Sequence, residues 1–402
     1  MPSALPSGDP MPPDGSLPPE VVDGVPGRPL SFYVHVPFCR TRCGYCDFNT
    51  YTASELPGMS SGDYVSAAHR EIALAGRVLG QEAPAVDTVF FGGGTPTMLP
   101  AETLAGMLGA IRDRFGLAEG AEVTTEANPD TVDRTYFEAL REAGFTRISL
   151  GMQSVVPHVL AVLERVHTPE RGLQAAAWAA EAGFEHVSLD LIYGTPGESA
   201  SDWMESLEAV AATPVDHVSA YSLIVEEGTR LAMQVRRGQV PMPDDDELAD
   251  KYLMAEEFLT GHGLGNYEVS NWAATPSGQC RHNLNYWRGA NWWGIGPGAH
   301  SHVNGMRFWN RKHPRSYVAE LDAGRSPAQA GERLSAEDRR IEQVMLELRL
   351  AEGLSLSILT PSERDRVAGV VADGLGSVTD ERLMLTLRGR LLADGVVRDL
   401  LD

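Results

Sequence analysis

The sequence predicts an α/β fold: a partial, TIM-like barrel of six parallel strand–helix units, followed by a mostly helical, winged-helix-like domain at the C-terminus. Three observations predict it. Short β-branched or aromatic runs alternate with longer amphipathic stretches between residue 30 and about residue 228. One helix–glycine–strand pattern occurs twice, as Arg141-Glu-Ala-Gly-Phe-Thr-Arg-Ile-Ser-Leu-Gly151 and again as Ala180-Glu-Ala-Gly-Phe-Glu-His-Val-Ser-Leu-Asp190. Polar residues of ligand-binding type then fall at the ends of successive strand-like runs, where barrels of this kind carry their chemistry.

Taken in order, residues 1–29 are rich in Pro, Gly, Ser and Asp without apolar periodicity, and are expected to form a flexible extension outside the core. Residues 30–228 form the barrel. Strands are expected at 31–36, 86–91, 122–125, 147–150, 186–191 and 217–223, with helices at 64–79, 101–115, 134–143, 169–182 and 201–211. Gly144 and Gly183 fit the left-handed cap that closes a helix. Alternation of this kind favours parallel strands joined by right-handed crossovers. Residues 229–310 change character to helices, loops and an aromatic, glycine-rich segment, and four of the seven tryptophans lie between Trp272 and Trp293. Residues 311–402 read as helices near 336–350 and 361–372, then short strands at 383–387 and 396–400, an order that suits a winged-helix-like unit.

Composition narrows the function classes. A formal charge of −22 argues against a general grip on nucleic acid, which depends on Lys and Arg meeting phosphates. No apolar run is long enough to span a membrane, and the N-terminus carries no basic-then-apolar leader, so a cytoplasmic protein is expected. Four cysteines, three of them clustered, do not form a secreted disulfide framework.

Those three lie in Cys39-Arg-Thr-Arg-Cys43-Gly-Tyr-Cys46, directly after the first strand and a Pro37-Phe38 stop. A CxxxCxxC triplet on one tight loop can ligate three irons of a 4Fe-4S cubane and leave the fourth open. A zinc knot is the other reading, but structural zinc normally takes four ligands from paired turns. After the second strand comes Gly92-Gly-Gly-Thr-Pro96, whose glycines let the backbone approach a ligand closely. Glu126 ends the third strand, Gln153 follows the fourth, and Asp190 closes the fifth, with Arg165 between the last two. Polar groups at successive strand ends point to a common ligand.

The triplet resembles that of the radical S-adenosylmethionine (SAM) superfamily, in which the open iron holds the methionine end of SAM. The lead-in Tyr33-Val-His-Val-Pro-Phe-Cys39, the GGGTP loop, Glu126-Ala-Asn-Pro129, Gly151-Met-Gln-Ser154 and Asp190-Leu-Ile-Tyr-Gly-Thr-Pro-Gly197 together resemble the oxygen-independent coproporphyrinogen oxidase family in its broad sense. The resemblance covers nearly the whole chain after residue 29. It implies a 4Fe-4S cluster on Cys39, Cys43 and Cys46, and SAM contacts from Tyr33, Gly93, Gly94, Thr95, Glu126, Gln153, Arg165 and Asp190, with Tyr45 contributing through its backbone.

At one position the pattern departs from the true dehydrogenases, which carry CxxxCxxCxC; here Cys46 is followed by Asp47 and Phe48. The CxxxCxxCDF form, with Cys280-Arg-His-Asn-Leu-Asn-Tyr-Trp287 downstream, resembles the HemW-type haem chaperones. That resemblance implies a protein that binds haem and transfers it to acceptors, with the SAM-bound cluster in a regulatory or structural part. The alternative is a radical SAM enzyme that oxidatively decarboxylates coproporphyrinogen III. In the segment His282, Asn283, Tyr286 and Trp287, an imidazole can ligate haem iron while Tyr286, Trp287, Trp292 and Trp293 offer flat apolar area. Cys280, His300 and His302 are further candidate ligands. The other reading is that these groups pack the barrel mouth and His282 bonds a backbone carbonyl. Haem-accepting partners, respiratory enzymes among them, leave peripheral membrane contact open, although no basic amphipathic helix is present to anchor the chain. Family members suggest a homodimer.

Overall fold

The computed structural model describes residues 6–165 and 168–401. Six parallel strands carry the barrel: β1 (Leu30–Val36), β2 (Val86–Gly93), β3 (Leu117–Ala127), β4 (Arg147–Gln153), β5 (His186–Tyr193) and β6 (His217–Ser222), hydrogen-bonded in chain order. The helices between them are Ser61–Leu79, Ala101–Phe115, Arg134–Ala143, Pro169–Glu181 and Ala200–Ala211, close to the expected spans. The repeated pattern folds the same way twice. Gly144 (φ 101°) and Gly183 (φ 84°) take the left-handed conformation, and Phe145 and Phe184 then turn into the core.

The sheet continues beyond the six strands. β7 (Gly265–Glu268) and β8 (Asn271–Ala273) add antiparallel beside β6, while β9 (Asn291–Ile295) pairs parallel with the opposite edge, β1. From β9 the sheet runs antiparallel through β10 (His300–Val303), β11 (Met306–Asn310) and β12 (Ala328–Arg333). The barrel is therefore open, with its outer edges at β7 and at the N-terminal arm rather than joined to each other.

That arm corrects the expectation of a flexible extension. Asp9–Pro10 pairs antiparallel with β12, and Leu17, Val21 and Val25 are buried in the main core. Burying three aliphatic side chains of this size is favourable by roughly 1.5–3 kcal/mol each, which offsets the low intrinsic order of a Pro/Gly-rich segment.

The C-terminal unit also begins later than residue 311. β11 and β12 belong to the main sheet, and an independent core forms only from the helix Ala336–Glu347 onward. Its helices Ala336–Glu347 and Pro361–Ala372, with the hairpin Gly376–Thr379 and Arg382–Leu385, give the helix–helix–wing order. The segment expected as a strand at 396–400 is instead inside the helix Ala393–Leu401. Val396, Val397 and Leu400 are buried on one side of it, and that spacing fits a helical face, not a strand. Among the described residues no helix is long and apolar enough to cross a membrane.

Candidate functional site

Parallel strands bring their C-terminal ends to one face, and side chains two residues apart on each strand point the same way. Thr124 and Glu126 on β3, Ser149, Gly151 and Gln153 on β4, Ser188 and Asp190 on β5, and His217, Ser219 and Tyr221 on β6 thus line one cavity of about 710 Å³. Cys39, Cys43 and Cys46 border the same space. All eight residues expected to touch SAM lie on its wall: Tyr33, Gly93, Gly94, Thr95, Glu126, Gln153, Arg165 and Asp190, with Tyr45 beside them.

The cysteine loop is gathered at its neck. Cys39 N donates to Tyr51 O (3.0 Å) and Tyr51 N to Pro37 O (2.7 Å), so residues 39–50 leave and return at the end of β1. The glycine loop is stitched to the same place, Gly94 N donating to Val36 O and Thr95 N to Phe38 O (2.8 Å each). Thr95 Oγ1 lies 3.9 Å from Cys39 Sγ. Side chains are excluded from this loop on steric grounds. A Cβ at Gly93 (φ 104°) would stand 2.4 Å from His35 Nδ1, and one at Gly94 would stand 2.5 Å from Phe38 O.

All three thiols are free and partly accessible. Burial pushes the Cys39 thiol up, and that of Cys46 up to about 11. Binding of a metal cluster therefore displaces protons from these sulfurs. Among the described residues no three His, Cys, Asp or Glu side chains converge as they do around a single ion; a cubane takes one thiolate per iron. The donor set is three cysteines on one short loop, leaving one iron of a cubane without a protein ligand, and it fits a site-differentiated 4Fe-4S cluster.

The rest of the cavity presents unmet polar atoms. Thr124 Oγ1, Arg147 Nη1 and Arg165 Nε are buried without a hydrogen-bond partner among the described residues, and all three side chains border the cavity. Buried polar groups are normally paired, so such a cluster fits a polar ligand. Arg165 is otherwise held, its Nη2 donating to Gly151 O (2.6 Å) and its Nη1 lying 3.5 Å from Cys43 Sγ. Gln153 takes a positive φ of 70°, an uncommon conformation that strains a non-glycine residue.

Glu126 accepts from Gly93 N (3.1 Å). Burial, reinforced by the nearby Asp190, pushes its carboxyl up to about 8. Asp190 is itself raised by burial to about 6, against the pull of Ser149 Oγ, which donates to its two oxygens at 2.7 and 2.9 Å. A cationic group placed between Glu126 and Asp190 would relieve both carboxylates. The serines holding Asp190 were not singled out from sequence; their signal is the i, i+2 register with Asp190 on β5 and its neighbour β4.

A second cavity, of about 830 Å³, adjoins the first across Tyr33, Gly93 and Tyr286 and is bordered by Trp287, Trp292, His300 and Lys312. The helix Arg281–Trp287 stands between them, anchored by one carboxylate: Glu122 on β3 accepts from Arg281 N (3.1 Å) and His282 N (3.0 Å) and is ion-paired to buried Arg147 at 3.1 Å. Asn285 Nδ2 donates to Ser31 Oγ (3.1 Å) and Asp87 Oδ2 (2.9 Å), fixing the other side of the helix.

Here the structure revises several candidate haem contacts. His282 is buried, stacked on Phe90, and both its ring nitrogens are engaged within the protein. Thr88 Oγ1 donates to Ser31, so His282 Nδ1 donates to Thr88 (2.7 Å), and Nε2 accepts from the Tyr286 hydroxyl (2.9 Å). The Nε2 lone pair that an iron would need already accepts from Tyr286, and the Nδ1 proton goes to a side-chain hydroxyl and not to the backbone carbonyl expected. Asn283 and Tyr286 border both cavities, whereas Trp287 faces only the second. Cys280 is buried against Glu122, Sγ lying 3.6 Å from Oε1, and burial together with that negative charge raises its thiol strongly. Both effects favour its thiol form. Trp293 packs into the core against Phe308, because strand alternation sends it opposite to Trp292. His302 is satisfied by Ala290 O (2.9 Å) and Gly305 N (3.2 Å).

Comparison with known proteins agrees with this geometry. The chain matches the radical SAM superfamily over residues 33–210. It is 52% identical over 377 residues to "Heme chaperone HemW" of Mycobacterium tuberculosis (strain ATCC 25618 / H37Rv), covering 94% of this chain and 96% of that protein. The protein of the same name from Bacillus subtilis (strain 168) is 31% identical over 375 residues, covering 91% and 97% respectively. Among solved structures, "Coproporphyrinogen III oxidase (HemN) from Escherichia coli is a Radical SAM enzyme" superimposes with a TM-score of 0.82 at 23% identity, over 95% of this chain and 92% of that one, a likeness of fold. With relatives this similar along almost its whole length, and a cysteine loop and glycine loop meeting at one cavity, the chain belongs to the HemW family of the radical SAM superfamily.

Proposed function

We propose that this protein binds haem and passes it to acceptor proteins, and that it holds a SAM-bound 4Fe-4S cluster beside the haem. The observation that carries this reading is the pair of adjoining cavities. One is lined by three free cysteines and unmet polar atoms, and the other by flat aromatic rings, with Tyr33, Gly93 and Tyr286 shared between them. When bound, the cluster would supply single-electron chemistry to SAM. Cys39, Cys43 and Cys46 would hold it; Gly93, Gly94 and Thr95 would receive the methionine end of SAM. Glu126 and Asp190 would face its ammonium and hydroxyl groups, and Arg165 its carboxylate.

Phe48 stands where the oxidases of this broad family carry a fourth cysteine. It is 57% exposed and borders both cavities, so it offers apolar surface at their junction instead of a further thiolate. This favours the carrier over the decarboxylating enzyme. The acceptors are haem proteins, respiratory ones included, a cytoplasmic setting suits an oxygen-labile cluster, and a homodimer is the assembly the family suggests.

The test is a pair of assays on anaerobically reconstituted protein with SAM. Titration with ferric haem should give a saturable change in the haem absorption band, while coproporphyrinogen III with a strong reductant should yield no decarboxylated porphyrinogen. Stoichiometric decarboxylation would overturn the proposal in favour of the oxidase.

A further inference from the structure

We infer that haem seats in the second cavity with the imidazole of His300 as its iron ligand, and that His282 acts as a positioning residue for the wall at Tyr286. This deepens the haem-carrier reading above and rests on it.

Of the histidines near the helix Arg281–Trp287, His282 and His302 have both ring nitrogens bonded inside the protein. His300 differs. It is exposed, it borders the 830 Å³ cavity, and no hydrogen bond reaches its ring among the described residues. It is nevertheless held in place. One face of the ring stacks on Trp309 (centroids 5.7 Å apart, planes 29° apart), the residue directly opposite it on β11. Its own carbonyl accepts from Trp292 Nε1 at 3.1 Å, which fixes the Trp292 wall in register with the imidazole.

The remaining surroundings suit a flat, largely apolar ligand. Tyr286 packs edge-on against Trp292 (4.7 Å, 71°), making one aromatic wall that continues to Trp287. Exposed Phe48, Tyr221 and Val269 border the opening, where a macrocycle edge would cover them. Lys312 also borders it, as do the acidic Asp47 and Glu268. The cavity volume lies within the range of roughly 300–1,000 Å³ that small-molecule and cofactor pockets occupy. In this arrangement His282 does not touch iron. It holds the Tyr286 hydroxyl at 2.9 Å and thereby sets the wall between the haem and SAM spaces.

The test is ferric-haem titration of the full-length, cluster-reconstituted protein followed by electron paramagnetic resonance and resonance Raman spectroscopy. His300→Ala, His300→Met and His282→Ala are compared with wild type, and near-ultraviolet circular dichroism checks that each is folded. His300→Ala should lose the histidine-ligand signature, and added imidazole should restore it. His300→Met should replace that signature with a thioether-ligand one, and His282→Ala should retain it. An unaltered spectrum in His300→Ala, or loss of the signature in His282→Ala alone, would overturn the assignment. Wild-type protein that leaves the haem spectrum unchanged would overturn the haem reading itself, a different failure from a misplaced ligand.

Discussion

The two cavities share a wall and differ in how their polar atoms are spent. In the first, Thr124 Oγ1, Arg147 Nη1 and Arg165 Nε are buried without partners among the described residues, and Glu126 and Asp190 are pushed above their ordinary range by burial. In the second, Asn271 Oδ1 is likewise buried without a partner among the described residues, but the surface offered to a ligand is chiefly the aromatic area of Tyr286, Trp287 and Trp292 with the His300 imidazole, which no hydrogen bond reaches among the described residues. The contrast teaches that unmet polarity and flat apolar area are separate ligand signals.

The largest effect should come from the first cavity's thiols. Replacing any one of Cys39, Cys43 or Cys46 by Ala leaves two ligands on the loop, and the variant should lose its iron–sulfur absorbance and its SAM binding while the haem titration persists. Loss of both functions together would show that the cavities are not separable. Gly93→Ala comes next. The added Cβ meets His35 and the residue keeps a left-handed φ, so folding should weaken by about 1–3 kcal/mol in chemical denaturation, with SAM affinity falling as well.

Acidity separates the cavities further. Glu126 is raised from an ordinary 4.5 to about 8, so between those values the folded, SAM-free protein holds a proton that the unfolded chain has lost. Its contribution is fully present below about pH 4.5 and is lost as pH rises through about 8. Asp190, raised from 3.8 to about 6, adds a decline of the same sign at lower pH. The melting temperature of SAM-free protein, taken relative to that of Glu126→Gln, should therefore fall from pH 5 to pH 8.5. The smallest effect belongs to the shared wall. Tyr286→Phe removes the donor to His282 Nε2 and should cost about 1 kcal/mol in urea unfolding, with the iron-ligand signature of bound haem retained.

Much of this could be read from residues alone, where local pattern and position agree. The strands at 147–153 and 186–193 were legible from their twin Gly-Phe starts, and Glu126, Gln153 and Asp190 from their places at strand ends. Contacts distant in sequence were not. The Pro/Gly-rich arm looks disordered because its partners, β12 and the Val21–Val25 pocket, are supplied by other parts of the chain. β9 pairs with β1 across more than half the sequence, which strand alternation cannot announce. At 396–400, a short strand suited the winged-helix-like order, while the spacing of the buried residues fits a helix. For His282, residue type alone suggested an iron ligand; only the placement of Thr88 on β2 and Tyr286 one turn ahead shows that its nitrogens are occupied.

The most direct measurement is haem transfer. Protein reconstituted with cluster and SAM, loaded with one equivalent of haem, would be mixed with the apo form of a b-type haem protein and the two separated by size before their absorption spectra are taken. A carrier built on these adjoining cavities predicts that the haem band migrates to the acceptor while the iron–sulfur absorbance stays behind. Haem that remains where it was loaded, or that never binds while coproporphyrinogen III is decarboxylated, would contradict that account.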